Sequence, residues 1–275
     1  MQKISHVSLS VCTTCGRACD GCLGKIAYNK PEKAHLDPVL FPKIMPAVKG
    51  ASVTVTGTHG DPIKYKKEYL AMLHEELMKA MPKDITYQTS GDSNAATMKK
   101  FMRTISSSPN NGSAAVPVSI CVSIGDIKAG AKIGEELPKG DPRVKEQVQV
   151  VKHLQKFADA FGVDYTIRLF VPREKQTDSE YVAATKKKFG IPEQLDNKGH
   201  YKGCSAEPWH PPKILKNIHD VRLERGRKSD TYQVDSGGWV YSGYDDSCRN
   251  RLDNLYENPL LEMHQRLAKQ SAGRK

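Results

Sequence analysis

Four cysteines lie close together near the start of the chain, in the stretch SVCTTCGRACDGC at positions 10–22. They are Cys12, Cys15, Cys19 and Cys22. Thiols at such short spacing can form disulfides, hold zinc or hold an iron–sulfur cluster. The last three form a CxxxCxxC pattern. Three thiolates on one tight loop can hold three irons of a cubane and leave the fourth iron open for chemistry.

Disulfides are the least expected of these three uses. The chain has 7 cysteines, an odd number, and its N-terminal residues contain no apolar stretch typical of a signal peptide. No apolar run approaches the roughly 18 residues that a membrane span needs. We therefore expect a cytoplasmic protein that does not associate with membranes and whose thiols stay reduced.

Zinc is the main alternative to an iron–sulfur cluster. Cys12 with Cys15, and Cys19 with Cys22, each form a CxxC pair of the kind that binds zinc. The two pairs are almost contiguous here, whereas zinc sites usually place them roughly a dozen residues apart. Cys12 directly follows an alternating apolar strand, so we interpret it as a small buried residue at the end of that strand.

The elements that must position the cysteine loop alternate between strands and helices. Apolar runs rich in β-branched residues predict strands at 4–11, 51–57, 84–91, 116–126 and 163–172. Helical periodicity predicts helices at 64–81, 94–105, 142–161 and 178–190, with Ser93 and Asp141 as N-caps and Gly190 as a helix end. Alternating βα units indicate a parallel sheet, and ligands of such sheets gather at the carboxyl ends of the strands. CTTCGRACDGC, GTHGDP, TSGD and SIGD each follow a predicted strand.

The strand, the run Thr13-Thr14-Cys15 through Cys22 and the following βα units resemble the radical S-adenosylmethionine (radical SAM) superfamily. The resemblance covers roughly residues 1–175. It implies an α/β fold, with a partial (βα)6 barrel of the radical SAM type over residues 1–190. It also implies a 4Fe–4S cluster on Cys15, Cys19 and Cys22 that binds S-adenosylmethionine. An electron from an external donor of the flavodoxin or ferredoxin type would then cleave this cofactor to a 5′-deoxyadenosyl radical, which abstracts hydrogen from a substrate.

The same resemblance assigns cofactor contacts to the ends of the second and third strands. Gly60 and Asp61 take the place of a Gly-Gly-Glu-Pro turn that meets the amino group of S-adenosylmethionine, with Asp instead of the longer Glu. Ser90 resembles the family's polar end of the third strand, although strand-end hydroxyls often only satisfy backbone groups. Gly21 stands where the family commonly has an aromatic residue near the adenine, so that part of the pattern is missing.

Three further positions are assigned to the cofactor on the fourth and fifth strands. Ser123 and Asp126 resemble positions that touch the ribose or the carboxylate of S-adenosylmethionine. Arg168 could pair with the methionine carboxylate, because its planar guanidinium suits a carboxylate. An ordinary ion pair is the alternative for Arg168.

Residues 191–275 follow a different pattern, and we expect them to form a small irregular extension of a hairpin and a helix. The hairpin is predicted at 231–244 across Gly237–Gly238, and Pro259 interrupts the helical pattern that follows. The stretch from Cys204 to Cys248 resembles a degenerate form of the cysteine-rich SPASM extension of peptide-modifying radical SAM enzymes, here covering the barrel mouth. Zinc on these two cysteines together with His200, His210 or His219 is an alternative. A sixth strand is indicated only weakly, at 221–226.

The charge of the chain bears on its substrate. Lys+Arg 42 against Asp+Glu 31 gives a net charge of +11, which favours RNA, a nucleotide or an acidic peptide. The resemblance of the extension favours a peptide. Two other functions stay open: a non-catalytic basic module, stabilised by zinc or an iron–sulfur cluster, that binds nucleic acid, and an activase that makes a glycyl radical on a partner protein.

Overall fold

The strands and helices predicted up to residue 190 are all present, and the structure adds a helix between the first two strands. The protein is represented by a computed structural model, which describes residues 3–15, 17, 19, 32–56, 60–106, 116–132, 134–192, 202–209, 230–242 and 251–272. The strands are β1 (His6–Ser10), β2 (Ser52–Thr56), β3 (Asp84–Thr89), β4 (Val118–Ile124), β5 (Asp164–Pro172), β6 (Lys202–Trp209), β7 (Thr231–Val234), β8 (Trp239–Ser242) and β9 (Arg251–Asn254). The helices are α1 (Phe41–Val48), α2 (Lys67–Ala80), α3 (Ala95–Ser106), α4 (Pro142–Phe161), α5 (Ser179–Phe189) and α6 (Leu260–Ala272).

These strands form one sheet, in the order β6-β5-β4-β3-β2-β1-β7-β8-β9. Strands β1 to β6 are all parallel and lie side by side in sequence order. Strand β7 lies parallel to β1 on its other side, and β8 and β9 continue the sheet with antiparallel pairing. The predicted parallel α/β sheet is confirmed, and six parallel strands with helical crossovers form the partial (βα)6 barrel.

The helices pack against one another around one face of the sheet, α6 on α1, α1 on α2, and so on to α5. Alternate strand residues such as Val7, Val53 and Tyr87 form the apolar core beneath them. The intervening residues of β3 and β5 are only half-buried and mostly polar. Because side chains alternate between the two faces of a strand, the polar set lines the inside of the barrel.

The sixth barrel strand is β6, which pairs with β5 over its full length. The candidate at 221–226 does not fill this place, and those residues lie outside the described part of the chain. Strand β6 has Gly203 and Pro208 within it, which weakens any propensity-based strand signal. It also follows residue 190, so the predicted extension contains a strand of the barrel.

Helix α1 was not predicted, because two prolines within it and Pro38 just before it hide its pattern. Asp37 begins the segment, and its carboxylate accepts a hydrogen bond from the Val39 amide at 3.1 Å. Pro42 stands in the first turn of α1, where a missing N–H costs nothing, and Pro46 lies inside the helix. The cap of α3 was placed one residue early: Asn94, not Ser93, accepts hydrogen bonds from the amides of Ala96 and Thr97.

The predicted hairpin is confirmed as β7 and β8, with Gly237 and Gly238 in its turn. These strands extend the barrel sheet beside β1 and form no separate cap over the barrel mouth. The turn is fixed by Asp235, whose carboxylate accepts hydrogen bonds from the Gly237 amide at 2.9 Å and the Tyr241 hydroxyl at 2.8 Å. Within the described ranges, no helix has the length and apolarity to cross a membrane.

Candidate functional site

The cysteine loop leaves the carboxyl end of β1 and is fastened by backbone hydrogen bonds. The Thr13 amide donates to the Ala34 carbonyl at 3.0 Å, and the Asp61 amide donates to the Thr14 carbonyl at 2.8 Å. Cys15 is exposed and Cys19 is buried, and neither forms a disulfide in the described structure. The loop is therefore held at the end of the sheet where βα proteins bind ligands.

Arg17 holds the middle of the loop over the barrel. Its guanidinium donates to the Ser90 carbonyl at 2.9 Å and to the Lys128 carbonyl at 3.0 Å. These carbonyls follow β3 and β4, so one side chain ties the segment between Cys15 and Cys19 to two other strand ends. No sequence pattern indicates this role, since an arginine in a polar loop is ordinarily solvated.

The two described cysteines of the predicted ligand set, Cys15 and Cys19, fit an iron–sulfur cluster. Cys15 and Cys19 are thiols on one fastened loop, and thiolates are the usual cluster ligands. Cys22, the third predicted ligand, and Gly21 lie outside the described residues. Among the residues that are described, no three His, Cys, Asp or Glu side chains lie together as a metal site.

Cys12 is placed differently from the other loop cysteines. It is fully buried in the apolar core, and its thiol donates to the Asp61 carbonyl with an Sγ–O distance of 3.0 Å. Burial raises the pKa of this thiol to about 12, so it is protonated at neutral pH. The interpretation of Cys12 as a small core residue at the strand end is confirmed.

Asp61 joins the end of β2 to the end of β3. Its Oδ1 accepts from the Ile63 amide at 3.1 Å and from the Thr89 hydroxyl. Its Oδ2 accepts from the Ser90 amide at 2.8 Å and from the Ser90 hydroxyl. A carboxylate has about four lone-pair directions, and here all are used. Asp61 and Ser90 are thus brought together, but their side chains bind each other, and a cofactor contact through either must replace one of these bonds.

Gly60, the first described residue after β2, lies against the cysteine loop. A Cβ at this position would lie 2.3 Å from the Cys12 carbonyl oxygen and 2.7 Å from the Thr14 nitrogen. Both neighbours are backbone atoms, which cannot rotate away. Glycine is therefore required for the close approach of these two loops.

We expect Gly60→Ala to lower the free energy of unfolding by about 2–4 kcal/mol, because the added methyl group pushes the turn off the cysteine loop. Gly140→Ala is the matched control, since a Cβ at Gly140 meets nothing within 4 Å. Urea unfolding of both variants under anaerobic conditions measures the difference. Equal stability of the two variants would show that the loops are not in contact.

Ser123 and Arg168 lie side by side on the inner face of the barrel. They are register partners: Ser123 lies near the carboxyl end of β4, and Arg168 lies in the middle of the longer strand β5. Both side chains are half-buried. The sheet therefore brings together the two residues that were assigned to polar groups of S-adenosylmethionine, and that assignment stays a prediction.

The carboxylate of Asp126 forms an ion pair with Lys188. Its carboxylate accepts hydrogen bonds from the Lys188 ammonium on α5, at 2.8 Å and 2.7 Å, and from the Leu137 amide at 3.2 Å. The two side chains are only 16% and 12% exposed, so this ion pair is well shielded from water. In this arrangement Asp126 anchors the segment after β4 to α5, a role that the sequence could not indicate because Lys188 is 62 residues away.

We expect Lys188→Met to lower the free energy of unfolding by about 2–4 kcal/mol, because it leaves the Asp126 carboxylate buried without its counter-ion. Lys187→Met is the control, since Lys187 is exposed on the same helix. Denaturant unfolding compares the two variants. If Lys188→Met is as stable as the control, Asp126 does not depend on this ion pair.

Similarity to known proteins is found among solved structures. No protein-family model and no curated protein matches the chain. Among solved structures, His6-tagged anSMEcpe with bound AdoMet matches with a TM-score of 0.58 at 14% identity, over 95% of this chain and 77% of that one. Native anSMEcpe with bound AdoMet and Cp18Cys peptide matches with a TM-score of 0.56 at 14% identity, over 95% and 80% of the two chains.

AnSME is a radical SAM anaerobic sulfatase-maturating enzyme. At 14% identity the match is one of fold. It extends over 95% of this chain, so it does not rest on the cysteine motif alone. The protein has the fold of the radical SAM superfamily.

Proposed function

We propose that this protein is a radical SAM enzyme, with a 4Fe–4S cluster on Cys15, Cys19 and Cys22. The observation that carries the proposal is the cysteine loop itself, fastened at the carboxyl ends of the parallel strands in a chain with the radical SAM fold. The cluster, when bound, supplies the electron that splits the sulfonium of S-adenosylmethionine. The protein supplies binding, orientation and exclusion of water.

The described residues divide these tasks. Arg17, Gly60 and Asp61 fix the cysteine loop against the strand ends. Ser123 and Arg168 are our candidates for the carboxylate and ribose of S-adenosylmethionine, because they are neighbours on the inner face of the barrel. The polar inner face continues below them and offers hydrogen bonds to a substrate.

The reaction needs partners as well. One-electron reduction requires an external donor, and we propose a flavodoxin or ferredoxin type. We also propose a peptide substrate in preference to RNA or a nucleotide. A solved structure of the same fold contains a bound peptide, which supports this choice. The net charge of +11 would suit an acidic peptide.

Anaerobic purification with iron, sulfide and zinc analysis tests the proposal, followed by incubation with dithionite and S-adenosylmethionine. We expect about four irons per chain and formation of 5′-deoxyadenosine. One zinc, no iron and no cleavage would favour a basic nucleic-acid-binding module, whose binding weakens steeply with salt.

A further inference from the structure

Three polar side chains inside the barrel have no hydrogen-bond partner among the residues that the structure describes. Gln233 is fully buried, and neither its amide nitrogen nor its amide oxygen is bonded within the described structure. The hydroxyls of Ser8 and Ser10, both 1% exposed, are also unpartnered among the described residues. Buried polar groups nearly always have partners in folded proteins, so each such group calls for an explanation.

The three side chains lie on one face of two neighbouring strands. Ser8 on β1 is the register partner of Gln233 on β7. Ser10 lies two residues further along β1, toward Cys12, a distance of roughly 7 Å. Val7 and Val234, which alternate with them, belong to the apolar core under the helices. Gln233, Ser8 and Ser10 therefore face the inside of the barrel, below the cysteine loop.

Gln147 is a second buried glutamine, and its side-chain amide is hydrogen-bonded at both ends. It is also fully buried, but its Oε1 accepts from the Gly125 amide at 2.9 Å and its Nε2 donates to the Gly125 carbonyl at 3.2 Å. Gln147 thus fastens the turn after β4. Gln233 fastens nothing that the structure describes, although leucine would fill the same space without polar atoms.

We propose that Gln233, Ser8 and Ser10 bind a neutral amide group of the substrate, namely one peptide unit. The glutamine amide presents one acceptor and one donor, which match the N–H and C=O of a peptide bond, and each serine hydroxyl can serve as either. The inference rests on the proposed function, in which the barrel interior receives the substrate.

A peptide fits this place better than a nucleobase. Ser8 begins a row of register partners that runs across the sheet from strand to strand. The residues that follow it on β2, β3 and β4 are Thr54, Thr86 and Ser119, which face the inside of the barrel as Ser8 does. None of them carries an aromatic ring or a positive charge, and the row ends at Asp164 on β5. Recognition of an unstacked base relies on stacking against aromatic or guanidinium planes. These positions offer hydrogen bonds only.

Gln233→Leu gives the first test, with Gln147→Leu as the matched control. Because the first change removes unpartnered polar atoms, we expect it to raise the midpoint of thermal unfolding by about 2–4 °C. The second change breaks two hydrogen bonds and should lower the midpoint. A lowered midpoint for Gln233→Leu would show that the protein itself uses this side chain, and would overturn the proposal.

Ligand binding gives the second test. Saturation-transfer NMR on the full-length reconstituted protein uses N-acetylglycine N-methylamide as a peptide unit and uridine as the alternative. We expect a signal for the peptide unit that Gln233→Leu abolishes and Gln147→Leu keeps. No signal, a signal unchanged by Gln233→Leu, or a Gln233-dependent signal from uridine instead would each overturn the proposal.

These two measurements need no turnover, so they are independent of the test of the proposed function. Absence of iron and of 5′-deoxyadenosine in the wild-type protein would reject the enzyme while leaving the amide site measurable. Normal cleavage of S-adenosylmethionine, with no Gln233-dependent binding of the peptide unit, would reject only the amide site.

Discussion

Cys19→Ala is expected to lose the iron and to reduce formation of 5′-deoxyadenosine to background. A cluster with an open iron uses three cysteine thiolates, and removal of one leaves two, which do not hold it. Metal analysis and chromatography of the dithionite reaction measure both effects. The loss should be complete, which makes this one of the two largest effects that we predict.

Cys12→Ala is the matched control, because Cys12 is buried in the core and its thiol donates to the Asp61 carbonyl. We expect this variant to keep its iron and its cleavage activity, and to lose only about 1–2 kcal/mol of stability for the lost contacts. Loss of bound metal in both variants, with zinc as that metal in the wild type, would instead indicate a site built from all four cysteines.

Asp61→Ala is expected to lower the free energy of unfolding by about 3–5 kcal/mol. The change removes the acceptor for the amides of Ile63 and Ser90 and for the hydroxyls of Thr89 and Ser90. Both amides are fixed by the backbone and cannot turn to another acceptor. Asp61→Asn should also be costly, about 2–3 kcal/mol, because its NH2 group would face one of these N–H donors.

Asp37→Ala is the control for Asp61, because Asp37 is 40% exposed and accepts from one amide, that of Val39, and from the exposed Tyr256 hydroxyl. It should cost about 0.5–2 kcal/mol. Urea unfolding compares the three variants, and titration with S-adenosylmethionine tests the remaining role. If Asp61→Ala is no less stable than Asp37→Ala and loses only cofactor affinity, Asp61 is a direct cofactor contact and not the fastening that its bonds indicate.

The elements with strong local signals were predictable from the sequence. Helix α4 begins after Asp141, whose carboxylate accepts from the Arg143 amide at 2.8 Å, and α5 ends at Gly190, as predicted. Both ends depend on residues within a few positions of the helix. Helix α1 and strand β6 were missed, because prolines and a glycine in them contradict propensity and only tertiary packing stabilises them.

The location of the candidate site was predictable from the sequence, but the roles of its individual residues were less so. Spacing indicated the cysteine loop, and the resemblance assigned cofactor contacts to Gly60, Asp61, Ser90, Ser123 and Arg168, which stay predictions. The partners of a polar side chain, however, depend on residues far away in the sequence. The carboxylate of Asp126 meets Lys188, Arg17 meets Ser90, and Gln233 meets nothing that is described. No pattern within one strand distinguishes a bonded glutamine from an unbonded one.

The most direct test of the central claim is low-temperature electron paramagnetic resonance of the dithionite-reduced protein, before and after addition of S-adenosylmethionine. We predict the signal of a reduced 4Fe–4S cluster, and we predict that S-adenosylmethionine changes it, because the cofactor binds the open iron. A protein without an iron signal, or with a cluster signal that S-adenosylmethionine leaves unchanged, would contradict the account.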